Sequence, residues 1–275
     1  HFWVPLFFFC LSQVRNLGFM FLKKRSRFAF VTDVFQKQVP YDTGRNRLPG
    51  VRGFALSDWL TRDDAFAAQM ALRDDLIANR RDKVIAMTDV GRAPTDELLD
   101  YVLAWLKQYD SDYQVHLSHV IRPDGRKLEI ERTDPLAVLG QLIQQDLCLL
   151  LPQGAQHNLV AAVVCFPANW RLAEKIGKTL THVHEPVPEY DDKLARRVQR
   201  IFDVVEVDKP VWRFNALDYQ NAALFQPERI GGDYVEPGSL DHPYFRSERQ
   251  CILRLPRTGA CVFSIHTFVL EKAGV

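Results

Sequence analysis

The chain has 275 residues, and its 35 basic and 34 acidic residues give a formal net charge of +1 at pH 7. This length suits one large domain. The balanced charge gives no reason to expect binding to nucleic acid or to an anionic membrane surface.

The first thirty residues read as a separate segment. An aromatic-rich apolar run over residues 2–11 is followed by a basic cluster at residues 23–25. A secretory signal has the reverse order, and the apolar run is too short to span a bilayer. We interpret residues 1–30 as a non-native or disordered leader, with a membrane-docking helix as the alternative. Residues 31–275 are predicted to form a single domain.

Helical spacing of apolar residues marks the next part of the chain. A helix is predicted to open at residues 56–60, where Ser57 or Asp58 is a plausible cap. The further helices are predicted over residues 63–79, 95–109 and 135–145. A turn at residues 122–126 and a short strand at residues 127–132 are expected before the last of these.

The second half of the chain reads mainly as strands. We predict a hairpin around residues 152–154, a buried strand over residues 159–166, a helix over 191–202, a strand over 211–215 and a long polar connection over 216–243. Two closing strands, 248–255 and 260–269, flank a turn that contains Gly259 and form a second hairpin. This order of helices, strands, short helices and a closing hairpin predicts an α+β domain.

The five cysteines show no CxxC spacing, and most lie in apolar runs. We expect buried free thiols in a reducing, cytoplasmic compartment. A zinc or iron–sulfur site held by this chain itself is not expected.

Residues 159–190, LVAAVVCFPANWRLAEKIGKTLTHVHEPVPEY, carry the most information. The apolar run stops at Pro167, a short amphipathic segment covers residues 170–176, and Gly177 can end that segment. His184 follows, two residues before a Pro-Val-Pro turn. Imidazole is the commonest protein ligand for haem iron, so His184 is a candidate ligand or else a packed or capping histidine. In an extended segment His182 would share its face and is the main rival.

Together with RSERQCILRLPRTGACVFSIHTF at residues 246–268, this segment resembles the α-subunit of haem-dependent oxidative N-demethylase and its wider family. The resemblance runs from about Gly53 to the C-terminus. It implies a PAS-like haem domain at about residues 127–270, with helices over one face of an antiparallel sheet and an N-terminal helical extension. It also implies haem b and O2-dependent demethylation of a small secondary amine with formaldehyde release. Electrons would come from partner reductase subunits that carry flavin and an iron–sulfur centre, and a homo-oligomer is possible.

The resemblance also implies residues that hold the haem. His184 is predicted to be the proximal iron ligand, with His182 as the alternative. Arg249 and Arg254 are predicted to pair with the haem propionates, because a guanidinium binds a carboxylate through two parallel hydrogen bonds. Lys175 is a further candidate for that role. A solvated strand face with ordinary surface ion pairs is the alternative for the arginines.

Glu248 is predicted to be the catalytic carboxylate. Near a distal pocket it would hold a cationic amine, orient water or relay protons. The alternative is a structural partner of Arg249 or Arg213.

The sequence departs from the family pattern at three positions: Ala216 stands where the family tends to have Trp, His266 where it has Arg, and Phe268 where it has Tyr. The last two changes remove possible hydrogen-bond donors. They favour one alternative to an enzyme, a non-catalytic PAS-like sensor of haem or a small ligand. A haem-free structural relative is a further alternative.

Overall fold

The computed structural model describes residues 34–43, 50–184, 192–227 and 242–272, without the side chains of residues 183–184 and 192–194. The predicted leader, residues 1–30, lies outside the described residues. Within the described ranges, no helix is long and apolar enough to cross a membrane.

Helices and strands alternate irregularly along the described chain. The helices are α1 Phe66–Asn79, α2 Arg81–Val84, α3 Arg92–Tyr109, α4 Pro135–Leu142, α5 Leu180–His184 and α6 Asp192–Val204. The strands are β1 Arg52–Gly53, β2 Ile85–Met87, β3 Gln114–Val115, β4 His119–Ile121, β5 Lys127–Glu129, β6 Asp146–Gln153, β7 Gln156–Val163, β8 Val211–Tyr219, β9 Tyr244–Arg254 and β10 Cys261–Glu271. Single 3-10 turns cover Leu56–Asp58, Asp89–Gly91 and Leu172–Glu174.

Seven strands form one sheet in the order β1-β8-β9-β10-β6-β7-β2, and β3-β4-β5 form a small second sheet. Every pairing between these strands is antiparallel. Helices combined with antiparallel sheet confirm the predicted α+β class. Both predicted hairpins, β6–β7 and β9–β10, are also confirmed. Gly154 and Gly259 have positive φ in the two turns, a conformation that glycine adopts without steric cost.

Helices cover both faces of the large sheet, whereas the resemblance implied helices over one face. The first face packs against α1, α3 and α4 through Met70, Leu98, Val102, Leu139, Leu149, Val163, Leu253 and Val262. The second face packs against α5, α6 and the turn Leu172–Glu174 through Cys148, Leu150, Leu172, Leu180, Val198, Phe202, Ile252 and Phe263. Because both faces are covered, nearly every residue of β9 and β10 is buried.

Two predicted elements differ from the structure. The helix expected at residues 56–60 is a single turn, Leu56–Asp58, without a side-chain cap, and α1 begins only at Phe66. Trp59 explains the difference, because its ring is fully buried in the core and its Nε1 donates to Ser264 Oγ at 2.9 Å. The polar connection predicted to start at residue 216 begins later, since β8 continues to Tyr219 by pairing with the first residues of β9.

The four described cysteines are buried and free, which confirms the predicted free thiols at Cys148, Cys165, Cys251 and Cys261. Burial raises the pKa of all four thiols, so they remain protonated near neutral pH. Cys10 lies outside the described residues.

A buried ion pair joins α1 to the start of β6. Arg73 is fully buried, and its Nη1 lies 2.7 Å from Asp146 Oδ1. Its other N–H groups donate to the carbonyls of Gly140, Gln144 and Gln145. Asp146 also accepts the backbone N–H groups of Cys165 and Phe166. The pair therefore fixes the point where the chain leaves β7 and enters the Phe166–Pro167 segment.

Candidate functional site

One face of strands β8, β9 and β10 carries buried polar side chains. Directly opposed residues on antiparallel strands share a face, as do alternate residues along one strand. Asn215 lies opposite Glu248, Glu248 lies opposite Thr267, and Arg213 lies opposite Gln250. All are nine-tenths or more buried. We call this set the polar patch, and it consists of Arg213, Asn215, Arg246, Glu248, Gln250 and Thr267.

Apolar contacts border the polar patch along the strands. On one side of the patch, Ile252 pairs across the strands with Val211 and Phe263. Phe202 of α6 packs with these three side chains in one apolar cluster. Toward the other end, a small cluster contains Ala168, Tyr219, Trp170 and Leu217. The polar patch therefore lies between two apolar clusters on this face of the sheet. This surrounding apolar packing strengthens electrostatic interactions within the patch.

Glu248 is the acidic residue of the patch. Its Oε2 accepts from Asn215 Nδ2 at 3.1 Å and from Gln250 Nε2 at 3.2 Å, and its Oε1 lies 3.3 Å from Arg246 Nη2. Burial raises the pKa of the Glu248 carboxyl above its ordinary range, although Arg246 and the two amides oppose that shift. The predicted alternative, a structural partnership with Arg249 or Arg213, is replaced in the structure by a pairing with Arg246.

Arg213 contributes unpartnered nitrogen atoms to the polar patch. Its side chain is buried, and its Nε and Nη1 atoms have no hydrogen-bond partner among the residues that the structure describes. Burial lowers the pKa of Arg213 to about 10, although the nearby charge of Glu248 acts in the opposite direction. Within the same described part of the chain, Gln250 Oε1 and Thr267 Oγ1 are also buried without a partner. Buried polar atoms that lack partners are rare in folded proteins, so this patch has capacity to bind another group.

Arg249 lies on the opposite face from Glu248. Its Nη1 donates to the Trp59 carbonyl at 2.8 Å and its Nη2 donates to the Asp58 carbonyl at 2.7 Å. Its guanidinium also lies over the ring of Trp212 at 5.3 Å. These contacts attach the turn before α1 to the sheet. The predicted pairing of Arg249 with a propionate remains a prediction.

Arg254 caps the end of α6. Its Nε donates to the Val205 carbonyl at 2.7 Å, its Nη2 to the Phe202 carbonyl at 2.6 Å, and its Nη1 to the Gly259 carbonyl at 2.8 Å. A cationic side chain commonly satisfies the free carbonyls at a helix C-terminus in this way. Its predicted role toward a propionate also remains a prediction.

These contacts lead to a stability prediction. We expect Arg249→Gln and Arg254→Gln each to lower the free energy of unfolding by about 1–3 kcal/mol, because each removes charged hydrogen bonds to buried or half-buried carbonyls. Chemical denaturation of the haem-free protein measures this loss. Arg257→Gln is the matched control, since its side chain is 65% exposed and its shorter ion pair, with Asp100 at 3.1 Å, lies at the surface. Its longer contact is with Glu97 at 3.7 Å. The control is expected to change the free energy of unfolding by about 0.5 kcal/mol or less. Equal losses in all three variants would contradict the stabilising role assigned to Arg249 and Arg254.

The predicted iron ligands lie in or beside α5. His182 is the alternative because it would share a face with His184 in an extended segment. The segment is helical, so that reason does not apply. His182 is exposed, and its backbone N–H donates to Thr179 Oγ1. His184 ends α5, and its side chain lies outside the described residues. Lys175 is half-buried and directly follows the turn Leu172–Glu174.

The three departures from the family pattern lie on the face opposite Glu248. Ala216 and Phe268 both pair with Ser247, from the two neighbouring strands, so they lie on the same face as Ser247. His266 Nε2 lies 2.8 Å from Asp63 Oδ2, and its Nδ1 lies 3.1 Å from Gln145 Nε2. The imidazole therefore has partners at both nitrogens. The departures leave the residues of the polar patch unchanged.

Sequence reasoning missed five of the six patch residues as members of a site: Arg213, Asn215, Arg246, Gln250 and Thr267. The available signal was the alternation of polar and aromatic residues in WRFN, residues 212–215, which places Arg213 and Asn215 on one face. Residues 246–250, RSERQ, are polar throughout, so their alternation does not show which members face the same way. Strand register, which the sequence does not reveal, brings these residues together.

The polar patch fits one requirement of haem. Haem carries two propionate carboxylates, and an unpartnered buried guanidinium such as that of Arg213 is a suitable partner for one of them. In the described ranges, no group of three or more His, Cys, Asp or Glu side chains could hold a metal ion. A haem needs only an axial ligand from the protein, which is the role predicted for His184.

A family model described as haem-dependent oxidative N-demethylase, alpha subunit-like, matches residues 50–273. The match covers most of the chain, including all ten strands and all six helices of its described part. It confirms the resemblance drawn from the two motifs. The chain therefore belongs to the haem-dependent oxidative N-demethylase, alpha subunit-like, family.

Proposed function

We propose that this chain is the haem-b-binding subunit of an oxidoreductase that uses O2 to demethylate a small secondary amine, with release of formaldehyde. A partner reductase carrying flavin and an iron–sulfur centre would supply the electrons. The family match over residues 50–273 supports haem dependence and oxidative demethylation. The observation that supports a binding site is the buried polar patch. In the described structure, Arg213, Gln250 and Thr267 of this patch have atoms without hydrogen-bond partners.

The arrangement of the sheet supports a PAS-like interpretation of this domain. The five long strands are antiparallel in the order β7-β6-β10-β9-β8, so the first of them in the chain pairs with the last. The segment between β7 and β8 contributes α5 and α6, which pack on the face that bears the polar patch. A ligand held between this segment and the sheet would lie on the face that bears the polar patch.

In this proposal each residue has a distinct task. Bound haem would supply the oxidative chemistry that removes the methyl group. His184 would hold the iron from α5. Glu248 would hold or transfer a proton at its carboxyl oxygens, because burial favours the protonated form and raises its pKa above the ordinary range. Asn215 and Gln250 would orient that carboxyl through their amide hydrogen bonds.

Replacement of Glu248 by Gln tests the proton-transfer role. We expect turnover to fall by roughly 10²–10⁴-fold, the usual contribution of a general acid or base, while the haem spectrum stays intact. Formaldehyde release from dimethylamine, with O2 and a competent reductase, is the measurement. Glu206→Gln is the control, because Glu206 is 64% exposed and pairs with Lys209 away from the polar patch. A loss below about tenfold, or a changed haem spectrum, would assign Glu248 to the structural support of Arg246.

A non-catalytic sensor of haem or a small ligand is the second candidate function. Ala216, His266 and Phe268 are the sequence observations that favour it. Their position on the opposite face from Glu248 weakens that interpretation, because the polar patch keeps its own residues. Haem binding without formaldehyde release from any small methylated amine would favour the sensor. Failure to bind haem would favour the haem-free structural relative.

A further inference from the structure

Arg213 carries a buried charge that the described residues around it leave uncompensated. Its side chain is 4% exposed, and two of its guanidinium nitrogens have no partner in the described part of the chain. Glu248 is the nearby carboxylate, but it already pairs with Arg246 and lies beyond ion-pair distance from Arg213. The described patch thus contains two cations and one anion. A buried charge without a counter-charge is costly, so this arrangement suits a ligand that brings one negative charge.

The other arginines of the region differ from Arg213 in this respect. Arg249 and Arg254 donate to backbone carbonyls through both of their terminal nitrogens. Arg246 donates to the Phe166 carbonyl at 2.7 Å and pairs with Glu248. Of these four arginines, Arg213 has the nitrogens that remain available for a bidentate bond to a carboxylate.

The geometry points to Arg213 as a carboxylate-binding residue inside the polar patch. This inference deepens the proposed function and rests on the ligand lying against the patch. Two carboxylates have the required chemistry: a propionate of haem, and the carboxylate of an N-methylated amino acid that serves as substrate. Titrations with esterified haem and with two methylated amines separate these sources.

The first arm compares haem with haem dimethyl ester, in which both propionates are esterified. The full chain and its Arg213→Gln variant are titrated with each, and the Soret band is followed. If a propionate is the partner, the variant binds haem about tenfold or more weakly and binds the diester as the unmodified chain does. Arg213→Lys keeps the charge without the planar fork and is expected to give an intermediate loss. Arg257→Gln is the control outside the patch.

The second arm uses N-methylglycine and dimethylamine, which differ in the carboxylate. If a substrate carboxylate is the partner, Arg213→Gln leaves haem affinity unchanged. It also weakens the spectral response to N-methylglycine by about tenfold or more, with the response to dimethylamine unchanged. No change with any of the four compounds, or an equal loss with all of them, would overturn the inference.

A third readout does not depend on haem. In the ligand-free protein, Arg213→Gln is expected to raise the melting temperature, because it removes an uncompensated buried charge, whereas loss of a purely structural arginine lowers it. If the chain binds no haem, the proposed function fails while the Arg213 site is still tested. N-methylglycine should then raise the melting temperature of the unmodified chain and not that of Arg213→Gln. The absence of that difference, or a lower melting temperature for the ligand-free variant, would overturn the inference.

Discussion

Replacement of Arg73 by Ala is expected to lower the free energy of unfolding by about 3–5 kcal/mol, the usual cost of removing one partner of a buried ion pair. The loss is large because the guanidinium also bonds three carbonyls and lies over the Phe166 ring at 5.2 Å. Asp146 would remain buried without its counter-charge, although it would keep the N–H groups of Cys165 and Phe166. Urea denaturation followed by circular dichroism measures the change.

Arg81→Ala provides the control for this prediction. Arg81 pairs with Asp134 at 2.7 Å, but its side chain is 48% exposed, so its removal is expected to cost less than about 1 kcal/mol. Similar losses in the two variants would contradict the importance assigned to the buried pair. Arg246 of the polar patch donates to the Phe166 carbonyl. If the Phe166 segment becomes less ordered in Arg73→Ala, the polar patch should therefore also bind haem less tightly.

Replacement of His184 by Gly is expected to abolish the Soret band of bound haem or to shift it to that of haem without an imidazole ligand. The motivating observations are the position of His184 at the end of α5 and the family match. Added imidazole should restore the band, because it fills the same coordination position from solution. Absorption and resonance Raman spectra of the reconstituted protein test this expectation.

His182→Gly is the matched control, as it lies in the same short helix and is exposed. It should leave the haem spectrum unchanged. Equal losses in both variants would indicate that α5 has unfolded, and no loss in either would place the axial ligand elsewhere. A spectrum lost only in His182→Gly would transfer the ligand role to that residue.

The hairpins of this fold were predictable from the sequence because local signals determine them. Gly154 and Gly259 stand in turns between runs of strand-forming residues, and both turns join antiparallel neighbours. The predicted helix at residues 56–60 was wrong because burial of Trp59 overrides local helix propensity. Tertiary contacts of this kind leave no local signal in the sequence.

The site was less predictable than the fold. Glu248 and Arg249 are neighbours in the sequence, and a structural pairing between them was one alternative, but adjacent residues of a strand point to opposite faces. Arg254 caps α6 through contacts with residues about fifty positions away, and no spacing rule indicates this. Arg213 comes beside Gln250 only through the register of β8 on β9. Only the three-dimensional structure shows that two of its nitrogens lack hydrogen-bond partners among the described residues.

The most direct test of haem dependence is a titration of the purified chain with haem, followed at the Soret band and by pyridine haemochrome analysis. We expect saturation at one haem b per chain, with the spectrum of a histidine-ligated iron. A titration curve no different from that of haem added to buffer would contradict the account.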